Sequence, residues 1–135
     1  MNAGVARFFL WLFPTLVVAA WGFVSRSAEV PFAVVPLVIF ASVFAVGCAA
    51  RSVPRRSLAI AACVGGVNAA LIGPPLAMLA MLPPGATAIG IGFGSDWGNL
   101  PPALAWTVFA LIMVSAAVAI CWSGVLLGTS IRRTR

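Results

Sequence analysis

The stretch from Leu58 to Leu82 reads LAIAACVGGVNAALIGPPLAMLAML and contains no charged side chain. A helix needs about 20 mainly apolar residues to cross a bilayer, because the hydrocarbon core is about 30 Å thick and each residue advances the helix by about 1.5 Å. Two adjacent prolines, Pro74 and Pro75, each lack a backbone N–H and crowd the preceding helical turn. The stretch therefore predicts a membrane-spanning helix that is broken at Gly73-Pro74-Pro75.

Three further apolar stretches reach the same length, so the sequence predicts an all-α fold, a single-domain integral membrane bundle of four transmembrane helices. The predicted spans cover about residues 5–24, 30–50, 58–82 and 103–128, with an outer loop at 83–102. The first span also has the basic residue and apolar run of a signal peptide. Its length and its internal Pro14 favour a retained helix instead.

The composition requires an apolar surface. The chain of 135 residues is 63% hydrophobic and 7% charged, with a mean hydropathy of +1.16. A soluble domain carries about 25% charged residues, because it needs a polar surface against water. Eight basic residues and two acids are too few to cover a soluble globule of this size. The composition therefore excludes an ordinary soluble domain and indicates that lipid surrounds the chain.

The arginines predict the orientation of the bundle in its membrane. One side collects Arg7, Arg51, Arg55, Arg56, Arg132, Arg133 and Arg135, whereas the other side holds Arg26 with Glu29, and Asp96. Basic residues stay on the cytoplasmic side of a membrane, so both termini are expected in the cytoplasm. The net charge of +6 then predicts contacts with anionic lipid headgroups, made by Arg51, Arg55, Arg56, Arg132, Arg133 and Arg135. The arginines are not interleaved with stacking aromatic residues, and nucleic acid is not an expected partner.

Small residues at helical spacing predict where the helices touch. In lipid the hydrophobic effect does not drive helices together, so contacts concentrate where small side chains allow close backbone approach. The predicted interface residues are Ala62, Gly65, Gly66, Ala69, Ala70, Gly124 and Gly128. These stripes are equally compatible with helix contacts inside one chain, with self-association and with binding of other membrane proteins.

One amide, one helix break and one loop are the candidate polar or pathway residues. Asn68 is the only strongly polar side chain deep in any predicted span. Two interpretations are open: its amide makes a hydrogen bond between helices, or it coordinates a solute or ion beside the helix break. Gly73, Pro74 and Pro75 form either such a site or a kink that only shapes the bundle. Asp96 and Trp97 belong to the outer loop and are candidates to anchor it at the interface.

The sequence predicts no catalytic, cofactor or metal site. Histidine and lysine are absent, the acids Glu29 and Asp96 lie in different connections, and the three cysteines form no CxxC pair. Acid–base pairs, metal clusters and phosphate loops therefore lack their components. We expect a non-catalytic subunit, accessory or assembly factor of a larger complex in a bacterial inner membrane. A small oligomeric transporter or channel and a holin-like phage membrane protein are the alternatives.

Overall fold

The computed structural model describes residues 1–81 and 102–134, and every element in these ranges is helical. The five helices are α1 Ala3–Val24, α2 Val34–Ala49, α3 Arg55–Leu71, α4 Gly73–Met81 and α5 Pro102–Thr134. The predicted all-α class is therefore confirmed for the described residues. The predicted outer loop, with Asp96 and Trp97, lies outside them.

Two of these helices, α1 and α5, are long and apolar enough to cross a membrane, and α3 and α4 together qualify if the bent pair counts as one span. Helix α2 is apolar apart from Ser42 but has 16 residues, which corresponds to about 24 Å at about 1.5 Å per residue. Helix α5 has 33 residues and is about 50 Å long on the same basis. The described helices are thus of unequal length.

Helix α1 begins at Ala3 because the Asn2 side chain accepts a hydrogen bond from the Gly4 backbone N–H at 3.1 Å. Such an N-cap satisfies one of the donors that the first helical turn leaves free. At the other end, the Ser25 hydroxyl donates to the Trp21 carbonyl at 2.7 Å. Pro14 lies inside the helix, where it removes one backbone donor.

Helix α2 begins at Val34, four residues after the start of the predicted span. Pro31 disfavours helical geometry in the residue before it. The Trp21 indole N–H donates to the Val30 carbonyl at 2.9 Å, and the Phe32 ring packs edge-on against Trp21 with centroids 5.0 Å apart. These contacts hold the connection against α1 as a turn and shorten the helix.

The predicted third helix is two helices, α3 and α4, whose axes differ by 42° at the break. Pro74 and Pro75 cannot donate to the carbonyls four residues before them. Bonds on either side remain, from Ile72 N–H to the Asn68 carbonyl at 2.8 Å and from Leu76 N–H to the Ile72 carbonyl at 3.2 Å. The chain therefore bends where the sequence predicts a break and stays helical on both sides.

The helices form two parallel pairs. Gly65 of α3 lies against Leu10 of α1, and Gly73 at the start of α4 lies against Val18, so α1 runs parallel to the bent pair. Helices α2 and α5 are also parallel, because Gly124 faces Phe40 and Gly128 faces Phe44. Helix α3 joins the pairs by packing antiparallel to α5, while α1 and α2 touch only loosely.

Two ends of the molecule follow from this arrangement. We call "arginine end" the one where α1 and α3 begin and α2 and α5 end, with Arg55 and Arg132. The opposite one, with Trp21, Phe32 and Met81, is the "far end". The level of Pro14 and Ala69 divides the molecule into an arginine half and a far half.

Candidate functional site

Gly65 and Ala69, two of the predicted interface residues, form with Gly73 a first stripe of small residues, which faces α1 and continues into Ala77 of α4. All four residues are buried, and they oppose a stripe of equal spacing on α1 formed by Leu10, Pro14, Val18 and Gly22. A Cβ at Gly22 would lie 2.5 Å from the backbone of Ala77. The 42° bend therefore keeps α4 on α1, and the contact passes through the break without interruption.

The closest backbone approach is between Gly65 and the carbonyl of Leu10, which a Cβ at position 65 would overlap. Pro14 supplies the reason for this approach. Residue 14 would normally donate its N–H to the Leu10 carbonyl, and proline has none to give. The freed oxygen lies against the Cα of Gly65, which is the geometry of a weak Cα–H···O contact between helices. Pro14 in α1 and Gly65 in α3 thus act together in one close contact between the helices, which we call the Gly65 joint.

The second predicted stripe faces α5. Ala62 is fully buried, and a Cβ at Gly66 would lie 3.0 Å from the Ala117 carbonyl. Ala70 is only partly buried, because it borders a cavity rather than a helix. This stripe therefore packs closely against α5 in the arginine half, whereas its last residue, Ala70, borders the cavity.

Gly124 and Gly128 face α2. A Cβ at Gly128 would lie 2.5 Å from the Phe44 carbonyl and 3.1 Å from the Cα of Gly47. The Cys48 thiol donates to the Gly128 carbonyl at 3.5 Å. The Thr129 hydroxyl donates to the Val125 carbonyl within its own helix. Each predicted interface glycine therefore lies in a helix contact within one chain.

A cavity of about 190 Å³ lies between the helices around and beyond the level of Pro14. Helix α2 contributes Val35, Pro36 and Ile39, the turn before it contributes Phe32, and α5 contributes Met113, Ala116, Ala117, Ile120 and Cys121. Pro14, Val18, Ala69 and Ala70 complete its lining. Every lining side chain is apolar. A second apolar hollow of about 170 Å³ separates α1 from α2 beside Trp21.

Asn68 does not line the cavity. It is partly exposed and lies on α3 between Val64 and Leu71, whose side chains are exposed. Gly73, by contrast, is buried against Val18, while Pro74 is partly buried and Pro75 is exposed. The candidate pathway residues in the described part of the chain are therefore not brought to one site.

At the arginine end, the Arg132 guanidinium donates through Nη1 to the Ala50 carbonyl at 2.6 Å. This carbonyl belongs to the C-cap of α2, where the helix dipole is negative and carbonyls lack helical partners. Arg51 and Arg56 are exposed and Arg55 is partly buried nearby in sequence. The Arg133 side chain and Arg135 lie outside the described residues.

Two of these features were not foreseen from the sequence. Arg132 was predicted to contact lipid headgroups. In the structure its guanidinium donates a hydrogen bond to the Ala50 carbonyl. A basic residue within the last turns of a helix is a known signal for such capping, but it does not identify which helix is capped. Predicting the Gly65 joint, which involves Pro14 and Leu10, requires the register between two helices. No local sequence pattern contains that register.

Within residues 1–81 and 102–134, no group of three or more histidine, cysteine, aspartate or glutamate side chains could hold a metal ion. No protein-family model matches this chain, and neither the curated proteins nor the solved structures contain a match.

Proposed function

We propose that this chain is a multi-pass inner-membrane protein with four spans, formed by α1, α2, the bent pair α3–α4, and α5. The apolar length of α1 and α5 supports this proposal, as does the antiparallel course of spans that follow each other in the chain. With Arg51, Arg55, Arg56 and Arg132 at one end, the cytoplasmic location of basic residues puts both termini in the cytoplasm. The shorter α2 would reach the interface through its flanking turn at Pro31 and Phe32.

Within that membrane we propose a non-catalytic role as a subunit or accessory of a larger membrane complex. One observation carries this proposal: in the far half, part of the apolar surface of α5 is not covered by the other described helices. Its large apolar side chains there are exposed among the described residues, with Leu111 63% and Ile112 58% exposed. The bend that keeps α4 on α1 takes it away from α5, and this leaves an apolar helix surface for another membrane protein.

Gentle detergent extraction of the tagged full chain, followed by mass spectrometry of whatever co-purifies, tests the role. We expect membrane proteins that are retained by the native chain and lost from Leu111→Ala/Ile112→Ala, which trims the exposed face of α5. The matched control is Phe8→Ala, since Phe8 is 60% exposed on α1 instead. A chain that emerges alone under all extraction conditions would contradict the role.

Labelling of single introduced cysteines at both termini, in intact cells and after permeabilisation, tests the topology. We expect labelling only after permeabilisation. The transport hypothesis gains no support here, because the cavity lining is apolar and Asn68 lies away from it. The holin-like alternative has no observation from the described helices in its favour.

A further inference from the structure

The cavity of about 190 Å³ has a buried floor and an exposed mouth. Val35 and Ile39 of α2 and Cys121 of α5 are buried at the floor. Phe32, in the turn before α2, is 45% exposed, and Ala116 of α5 is exposed as well. We call these two residues the mouth, because the lining reaches the surface of the described helices there.

The register of α2 on α5 locates the mouth. Gly124 faces Phe40 where the two helices touch. The same parallel register, followed for about two helical turns toward the far end, brings Ala116 level with Phe32. Both mouth residues therefore lie at one level, on either side of a gap between α2 and α5, and the cavity opens sideways through this gap.

Water is not a suitable occupant of the cavity. No polar atom of the described lining residues faces it, and an ordered water needs about two to four polar partners. Cavities of about 150 Å³ with aliphatic and aromatic linings stay dry and take up apolar molecules such as benzene or xenon. The occupant that matches this cavity is therefore an apolar group of similar or slightly larger size.

In the proposed membrane, the depth of the cavity identifies that group. The cavity lies in the far half, which faces the cell exterior in the proposed orientation, so the outer leaflet surrounds it. The lining from α2 and its preceding turn runs from Phe32 to Ile39, about 10 Å along the helix at about 1.5 Å per residue. The sideways opening admits an acyl chain while the lipid headgroup stays at the interface.

We propose that the cavity binds the end of an acyl chain from an outer-leaflet lipid. The inference rests on the proposed membrane location and orientation, because together they supply the lipid. The bound acyl chain contacts Ile39 and Cys121 at the floor and fills the gap between α2 and α5. It thus replaces, in the far half, the direct contact that Gly124 and Gly128 provide in the arginine half.

Photolabelling of the full-length protein tests the proposal. The protein is reconstituted in phosphatidylcholine liposomes that contain a small fraction of phosphatidylcholine with a diazirine near the end of one acyl chain, and adducts are located by mass spectrometry after irradiation. We expect adducts at Ile39 and Cys121, although both are shielded from bulk lipid. Ala116→Leu narrows the mouth and is expected to lower this labelling about 10-fold, because small changes in the size of an apolar pocket alter binding by about that factor.

Ala119→Leu is the matched control, because Ala119 is exposed on α5 and does not line the cavity. It is expected to leave the labelling of the floor unchanged. Ala70→Leu fills the cavity from α3 and is expected to lower the labelling even if Ala116→Leu disturbs its own helix. Adducts confined to exposed side chains such as Leu111, or equal labelling of the floor in all three variants, would overturn the proposal.

A second lipid, with the diazirine near the middle of the acyl chain, identifies the leaflet. For an outer-leaflet lipid, the labelling that Ala116→Leu removes is expected at the level of Phe32, closer to the far end than the adducts of the first lipid. For an inner-leaflet lipid, this labelling would lie at the level of Phe44 in the arginine half. That result would overturn the outer-leaflet source.

These outcomes separate the inference from the proposed function. A chain recovered from the aqueous fraction without detergent would contradict the membrane location itself. A membrane-inserted chain whose cavity floor stays unlabelled would leave the proposed location and role intact and overturn this inference alone.

Discussion

The arginine half and the far half of the molecule are built from the same residue types but pack differently. In the arginine half, Gly65 contacts the α1 backbone, Gly66 contacts α5, and Gly128 contacts α2. In the far half, α1 and α4 keep such a contact through Gly22, whereas α2 and α5 are separated by an apolar cavity.

The difference shows that small residues and the helix break act in opposite directions. Glycines bring backbones together at each crossing in the arginine half. The bend at Gly73-Pro74-Pro75 then directs α4 toward α1 and away from α5. The close approach of the helices in the arginine half is thus set by individual small residues, whereas the separation of α4 from α5 in the far half is set by one bend. Four experiments test this comparison.

Gly65→Ala is expected to have the largest effect, because the added methyl group would overlap the Leu10 carbonyl and its neighbours are backbone atoms that cannot rotate away. We expect a loss of about 3 kcal/mol or more in the free energy of unfolding. Unfolding in detergent can be followed by the fluorescence of the five tryptophans. Gly4→Ala is the control, since its methyl group would meet only the Asn2 side chain at 3.9 Å. Equal stability of the two variants would contradict the Gly65 joint.

Enlarging one alanine in each half gives a paired test on a single helix. Ala62→Leu overfills the arginine half, where Ala62 is fully buried, and is expected to lower stability by about 2 kcal/mol. Ala70→Leu extends into the cavity of about 190 Å³ and is expected to raise stability by about 0.5–1 kcal/mol. Thermal unfolding in detergent measures both. If both variants lose stability equally, the far half is as tightly packed as the arginine half.

Arg132→Met is expected to lower stability by about 1 kcal/mol, because the Ala50 carbonyl loses a charged donor while remaining buried. Arg56→Met removes an exposed charge from the same end and serves as the control for net charge. Chemical unfolding of both variants in the same detergent gives the comparison. An identical loss in both would mean that net charge, and not the cap on α2, accounts for the effect.

Thr15→Val should have the smallest effect, and a favourable one. The Thr15 hydroxyl is buried without a hydrogen-bond partner in the described residues. Replacing it by a methyl group of similar shape removes an unpaired polar group, and we expect a gain of about 0.5 kcal/mol. Thr129→Val is the matched change, since the Thr129 hydroxyl is bonded to Val125 at 2.8 Å, and it should lose stability. A loss at Thr15 would show that its hydroxyl has a partner.

Much of the local structure was accessible from the sequence. Apolar length predicted α1 and α5, and the proline pair predicted the bend, because both are properties of consecutive residues. Helix α5 nevertheless continues to Thr134, beyond the predicted end at 128, because an α-helix stops at a breaking residue and not at the edge of an apolar run.

The relations between helices were not accessible. Small-residue spacing indicated that Gly65 and Gly128 belong to contacts, but the pairing of Gly65 with Leu10 depends on how far α1 is shifted along α3. The same holds for Asn68, whose position in the sequence is equally compatible with an inner or an outer face. Only the directions of both neighbouring interfaces identify the face on which it lies.

The packing of α2 has a consequence for biosynthesis. A ribosome completes α2 early, yet its main neighbour is α5, which is translated last, and its contact with α1 is loose. The bundle therefore cannot close in the order in which its segments emerge. Until α5 has been inserted, α2 is held mainly by the turn at Trp21 and Val30, with its last carbonyls uncapped. If the helices enter a membrane as proposed, α2 therefore waits there, largely without helix partners, until α5 follows.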